Sequence, residues 1–220
     1  MALVFITTLP SSTRIASGYA IIERYLMTTN PTDPNQVRLT GENSFIRLSR
    51  QGGVLQTTRT SHWRVLLSPG GQGHVLFIKS DVANDEVRIY SDNIALARWL
   101  QEEIESFLFP EFSDQTLPVV DAAFTRSGDG RSYWTESIES DDDSIALTWH
   151  DFLEPYMLVN PPGGESGRPL GVYSCFVPAR RAQLTVNGIV AQGEVTQDMR
   201  GDKPSSSACL AWSETWVKPR

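Results

Sequence analysis

Cysteine and histidine are scarce in this chain: Cys175 and Cys209, then His62, His74 and His150, are all that 220 residues supply. No HExxH pair or Cys/His spacing occurs, so a zinc centre lacks ligands, and no metal or other cofactor is expected. Two cysteines without a secretory leader predict free, buried thiols. Basic charge is short as well: 19 Lys and Arg face 26 Asp and Glu, a net −7, and Arg180-Arg181 is the one adjacent basic pair. That balance argues against a nucleic-acid partner. No apolar run approaches the roughly 20 residues of a membrane span. The opening MALVFITTLPSS has no positive n-region, which argues against a signal peptide and predicts a cytoplasmic protein.

Other signatures are missing too. No fixed short repeat marks a propeller or solenoid. The GGQG at 70–73 reads as a hairpin loop rather than a phosphate-binding turn, and no G-x-S-x-G elbow occurs. The acidic run Asp141 to Asp143 lacks the glycine and distal Glu of a calcium loop, so it reads as a solvated turn.

What is present is an ordinary globular composition, 40% apolar and 20% charged, with ample core material. The length fits one β domain over 1–220, with a two-lobed division near 110–118 left open. Short alternating segments separated by turn residues dominate. Ala2 to Thr8 reads as a first strand or a strap, and Gly18 to Thr28 as either a strand or a short helix. After the loop Asn30 to Gln36, strands are predicted at Val37–Thr40, Ser44–Ser49, Val54–Ser61, Thr60–Leu67, His74–Ser80 and Glu86–Tyr90. Turns are predicted at Gly41, at Gly52-Gly53 and over Ser68–Gly73.

One segment changes period. Asp92 to Phe107 places Ile94, Ala97, Leu100, Ile104 and Phe107 on a helical stripe, with Ser91 or Asp92 as N-cap and Pro110 as stop. It is the one long helix predicted. Strands resume at Val119–Arg126, Gly171–Val177, Arg181–Asn187 and Ser207–Val217. Asn187-Gly188 marks a two-residue hairpin turn, and Asn160–Gly171 and Gln197–Ser207 read as loops. The fold class is therefore mainly β: an antiparallel barrel, or two packed sheets, with the helix covering a mouth or outer face.

The most informative stretch is Arg131 to Phe152, two strands joined by an acidic turn, Ser140 to Asp143. Matching apolar faces sets Ile138 opposite Ile145, Glu136 opposite Leu147 and Trp134 opposite Trp149. Glu136 and Asp151 are thereby left on the inward face. Inward carboxylates beside tryptophan would be desolvated, which raises their pKa and suits a general acid or base, although an Arg partner would make them structural. Ser207–Val217 sets Trp212, Glu214 and Trp216 on one face by the same arithmetic. His62 and Arg64 share the face opposite Trp63, Val65 and Leu67. If that face lines a cavity, His62 is an acid–base candidate and Arg64 an anion or carbonyl clamp; if it meets solvent, neither has a role.

The candidate catalytic residues are thus Glu136, Asp151 and His62. Arg64, Trp134, Trp149, Trp212, Glu214 and Trp216 are the candidate substrate contacts. The meandering strands, tryptophan-bearing faces and single helix resemble the lipocalin-like (calycin) β-barrels. WTESIES…ALTWHDF and ACLAWSETWV are similar to the lipocalin-type domains of the carotenoid hydratase and AttH group. Two functions fit. One is a cofactor-free lyase, hydratase, isomerase or cyclase working by acid–base chemistry on a hydrophobic small molecule inside the barrel. The other is a non-catalytic binder or carrier of an apolar small molecule. The composition leaves oligomerisation open.

Overall fold

Residues 133–152 pair as their alternation demands. In the computed structural model, which describes residues 36–163 and 168–218, β7 (Tyr133–Glu139) and β8 (Ser144–Phe152) are antiparallel. Ile138 lies opposite Ile145, Glu136 opposite Leu147 and Trp134 opposite Trp149. The readings of Ala2–Thr8 and Gly18–Thr28 lie outside the described residues.

Around this hairpin the chain builds a nearly closed, barrel-shaped sheet. Its remaining strands are β1 (Val37–Arg50), β2 (Leu55–Leu67), β3 (Gly73–Ser80), β4 (Val87–Ser91), β5 (Val119–Asp121), β6 (Ala123–Gly128), β9 (Tyr156–Asn160), β10 (Gly171–Val186), β11 (Ile189–Val190), β12 (Glu194–Val195) and β15 (Ala208–Val217). The strand order is β5-β4-β3-β2-β1-β15-β10-β8-β7-β6, antiparallel except for the parallel pair β4 and β5. β5 leads straight into β6 through Ala122, so the chain itself joins the two ends of the order. A separate hairpin, β13 (Gln197–Arg200) with β14 (Lys203–Ser206), occupies what the polar composition reads as a loop.

One predicted turn, Gly41, is strand interior instead. β1 runs unbroken through Gly41, where an added Cβ would sit 2.2 Å from the Arg64 carbonyl oxygen. Glycine there permits close backbone approach rather than a reversal. β10 likewise merges two predicted strands. Its first half pairs with β15 and β9, its second half with β8 and β11, so one strand serves both halves of the sheet. Asn187-Gly188 turns as predicted, with φ of 52° and 78°.

The curled sheet is packed on both faces of β1 to β4. Ile46, Leu48, Leu76 and Ile78 meet Ile138, Ile145, Leu147 and Trp149 across the barrel interior. On the outer side Trp63, Val75, Phe77 and Ile89 meet the helix. This is why β3 reads VLFI without alternation: all four are buried.

The helix, α1, comprises Ile94–Leu100, a wider π-type turn Gln101–Glu105, and Ser106–Leu108. Its cap is Asn93, whose side chain accepts from Leu96 N at 3.2 Å. Asp92 is engaged elsewhere, holding His74. Ala97, Leu100 and Ile104 of the predicted stripe are buried, while Ile94 is exposed. Leu100→Ala is expected to cost about 2–5 kcal/mol in urea denaturation, the range for emptying a buried leucine site. A loss below about half a kcal/mol would mean that the stripe does not carry the layer.

Candidate functional site

Glu136 points inward, 5% exposed, and accepts from Trp134 Nε1 at 2.8 Å. Burial raises its pKa, while the Trp134 N–H and the Arg126 charge pull it back. His62 faces neither solvent nor an open cavity; it is buried against Phe124 of β6, ring centroids 5.9 Å apart. Burial and the nearby His74 push its pKa down to about 3, so it is neutral under ordinary conditions.

Arg64 reaches Glu42 at 3.2 Å, and Arg126 takes the other carboxylate oxygen at 3.1 Å. Arg126 also lies 5.7 Å over the Trp134 ring, and Trp134 meets Trp212 edge-on at 5.6 Å. His74, bonded to Asp92 at 2.7 Å, stacks on Phe124 at 5.1 Å. The fold thus brings Glu136, His62, Arg64, Trp134 and Trp212 together. It binds them into a side-chain seam between β1–β3 and β15 on one side and β6–β7 on the other, in which Glu42 pairs with Arg64 and Arg126.

The other candidates lie elsewhere. Asp151 is turned to the surface, where it accepts from Arg181 Nε at 2.5 Å. Its φ of 55° breaks the alternation that set it inward. Trp149 is fully buried in the barrel interior and donates from Nε1 to the Phe45 carbonyl at 3.1 Å. Glu214 and Trp216 leave the face of Trp212 because Ser213, at φ 53°, inserts a bulge into β15. Ala208, Leu210 and Trp212 pack toward the barrel interior, whereas Trp216 packs with Cys209 and Ala211 on the helix side. Both cysteines are free, Cys209 buried and Cys175 partly so.

That flip delivers Glu214 to a cavity of about 310 Å³ between the sheet and the end of α1. β1 contributes Asn43, Phe45 and Arg47 from alternate positions. β10 adds Val172 and Phe176, and the chain beyond the helix adds Phe109. Arg168 and, from the β13–β14 hairpin, Arg200 complete the charged part of the wall. The hairpin is tied down by the Tyr156 and Ser205 hydroxyls, 2.9 Å apart.

Glu214 is 3% exposed and accepts from Trp216 Nε1 at 2.5 Å. Burial pushes its pKa up to about 8 against the opposing Trp216 and Ser174 donors, and the Glu105 charge raises it further. Glu105, on the π-type turn, is fully buried; it accepts from Ser61 Oγ at 2.6 Å and Trp63 Nε1 at 2.7 Å. Burial pushes it up to about 7. Asn43 on the cavity wall donates to Ser61 Oγ at 3.0 Å, so a hydrogen-bonded chain links the cavity to Glu105. Among the described residues, no three His, Cys, Asp or Glu side chains gather to hold a metal ion.

The sequence reading missed Glu105 and the arginines. Glu105 carried a signal: with Gln101 it flanks the apolar stripe at i+4, and both are fully buried. Arg47, Arg168 and Arg200 carried none, since only the fold brings them together.

The raised carboxyls of Glu105 and Glu214 make stability depend on pH. Each holds its proton more tightly folded than unfolded, so the stabilisation is complete below about 4.5 and is lost as pH rises through 7 to 8. His62 acts only below 6.5, where the unfolded imidazole takes a proton that the buried one refuses. Stability is therefore expected to fall by about 2 kcal/mol between roughly pH 6.5 and 8.5. Urea midpoints should show this in the wild type and a flatter profile in Glu105→Gln/Glu214→Gln; a wild-type profile already flat would remove the linkage.

No protein-family model, curated protein or solved structure matches this chain.

Proposed function

We propose that the protein is a cofactor-free acid–base enzyme of the lyase or isomerase type. It acts on a small, largely apolar molecule held in the helix-side cavity, with Glu214 as the proton-transfer group. The observation that carries this reading is a buried carboxylic acid on the wall of a cavity flanked by Phe45, Phe109 and Phe176. Raised to about 8, Glu214 is mostly protonated at neutral pH and can act as a general acid toward a carbonyl or alkene. The carboxylate left behind is held by the Trp216 N–H, then takes a proton back from the reacting carbon or from water. The resemblance to lipocalin-type hydratases favours the same class of reaction. The cavity lies on the helix side of the sheet, opposite the cluster of side chains that packs in the barrel interior.

A non-catalytic binder is the second reading. Its support is that Glu214 is the one carboxylate among the described residues lining the cavity, Glu105 standing behind Ser61. The two are separated by incubating the protein in D₂O with a panel of aromatic and short-chain ketones and alkenes, reading deuterium incorporation by NMR. The enzyme reading expects incorporation that Glu214→Gln loses. Tight binding of the panel with no incorporation anywhere would make the protein a carrier.

A further inference from the structure

We propose that the molecule this cavity takes is an amphipathic anion. Its carboxylate or phosphoryl group is gripped by Arg47, Arg168 and Arg200, and its apolar body lies against Phe45, Phe109 and Phe176. The inference rests on reading the cavity as a small-molecule site and names the ligand's chemical class.

Arg50, Arg59, Arg64, Arg88, Arg126 and Arg181 each pair with a carboxylate. Among the described residues, no acidic side chain lies within ion-pair distance of Arg47, Arg168 or Arg200, although acidic residues outnumber basic ones by 26 to 19 in the chain. These three come from β1, the segment before β10 and the β13–β14 hairpin, yet they line one cavity. They lie close enough to depress one another: Arg47 is lowered by burial and by Arg59, Arg168 and Arg200, and Arg168 by burial and Arg200. Glu214, mostly protonated in the same cavity, leaves that positive charge largely uncancelled. Gathering like charges in a part-buried site is costly unless something neutralises it, and an anionic ligand does so.

Geometry adds the second half. The Arg47 guanidinium lies 4.7 Å from the Phe45 ring centroid and 5.2 Å from that of Phe109, and its Nε is buried without a partner. Arg200 lies 6.0 Å over Phe176. Stacking of this kind fixes the planar fork before a ligand arrives, and that fork matches carboxylate or phosphoryl oxygens two at a time. The volume, near the lower end of the roughly 300–1,000 Å³ range for small-molecule pockets, suits a ring or short chain rather than a long lipid.

Titration calorimetry with naphthaleneacetate, its neutral amide, naphthyl phosphate and inorganic phosphate tests this. At least one aromatic anion should bind about 10–100-fold more tightly than the amide, the worth of one or two charge-assisted contacts. The tighter of the two identifies carboxylate or phosphoryl as the natural group. Arg47→Gln/Arg200→Gln should erase the preference while the amide keeps its affinity. The exposed Arg200→Gln alone should reduce the preference, giving a readout independent of any folding defect in the double variant. An amide binding as tightly as the anions would overturn the inference and leave the small-molecule site standing. Inorganic phosphate binding as tightly as naphthyl phosphate would remove the apolar half. No binding by any aromatic probe would remove the site itself.

Discussion

Glu214→Gln is expected to lower turnover by about 10²–10⁴-fold, the usual contribution of a general acid or base, while leaving stability near neutral pH almost unchanged. The two outcomes belong together. At pH 7 the buried acid is already mostly neutral, so an amide of nearly the same shape changes little in the folded state. The amide oxygen can still accept from Trp216 Nε1, so the wall of the cavity keeps its geometry. What is lost is the exchangeable acid proton.

The pH profile sharpens the prediction. If the protonated acid is the working form, wild-type turnover declines as pH rises through about 8, and the residual rate of the variant does not follow it. Glu105 supplies an internal control, because its charge raises the pKa of Glu214. Glu105→Gln should therefore shift the alkaline limb to lower pH without abolishing turnover. Undiminished turnover in Glu214→Gln would remove this residue from the chemistry.

Trp149→Ala is expected to destabilise the fold by about 3–5 kcal/mol, a large share of the roughly 5–15 kcal/mol that holds a typical domain together. Trp149 is fully buried among the residues joining β7–β8 to β1 and β3. Its Nε1 also satisfies the Phe45 carbonyl across that interior at 3.1 Å. Truncation leaves a cavity and a carbonyl deprived of its indole donor. Trp149→Phe should cost less, about 1–3 kcal/mol, since most of the apolar volume stays and chiefly the N–H is lost. Urea denaturation of both variants measures the difference. A Trp149→Ala loss below about 1 kcal/mol would mean that the two halves of the sheet are not packed through this residue. Ligand affinity at the helix-side cavity should be unaffected in Trp149→Phe, because Trp149 does not line it.

Much of the local structure could be read from the chain itself. The β7–β8 register follows from side chains alternating every second residue across a turn of fixed length, which leaves one pairing that buries both apolar faces. The Asn187-Gly188 turn and most of the α1 stripe are equally local, set by backbone preference and by helical period. The inward Glu136 followed from the same arithmetic.

Tertiary structure decided the rest. Positive φ at Asp151 and Ser213 turns one carboxylate out to solvent and swings Glu214 to the opposite face of its strand, and no count of alternating residues registers a bulge. The cover on each face of the sheet was equally out of reach of local pattern. The curl sets β6–β8 against one side of β1–β4 and α1 against the other, so the His62 face became a closed seam and the Phe45 face a cavity wall. The meeting of Arg47, Arg168 and Arg200 depends on contacts between distant segments. Periodicity fixes which side chains share a face, but the burial and charge that make a site arise only when the rest of the chain closes over that face.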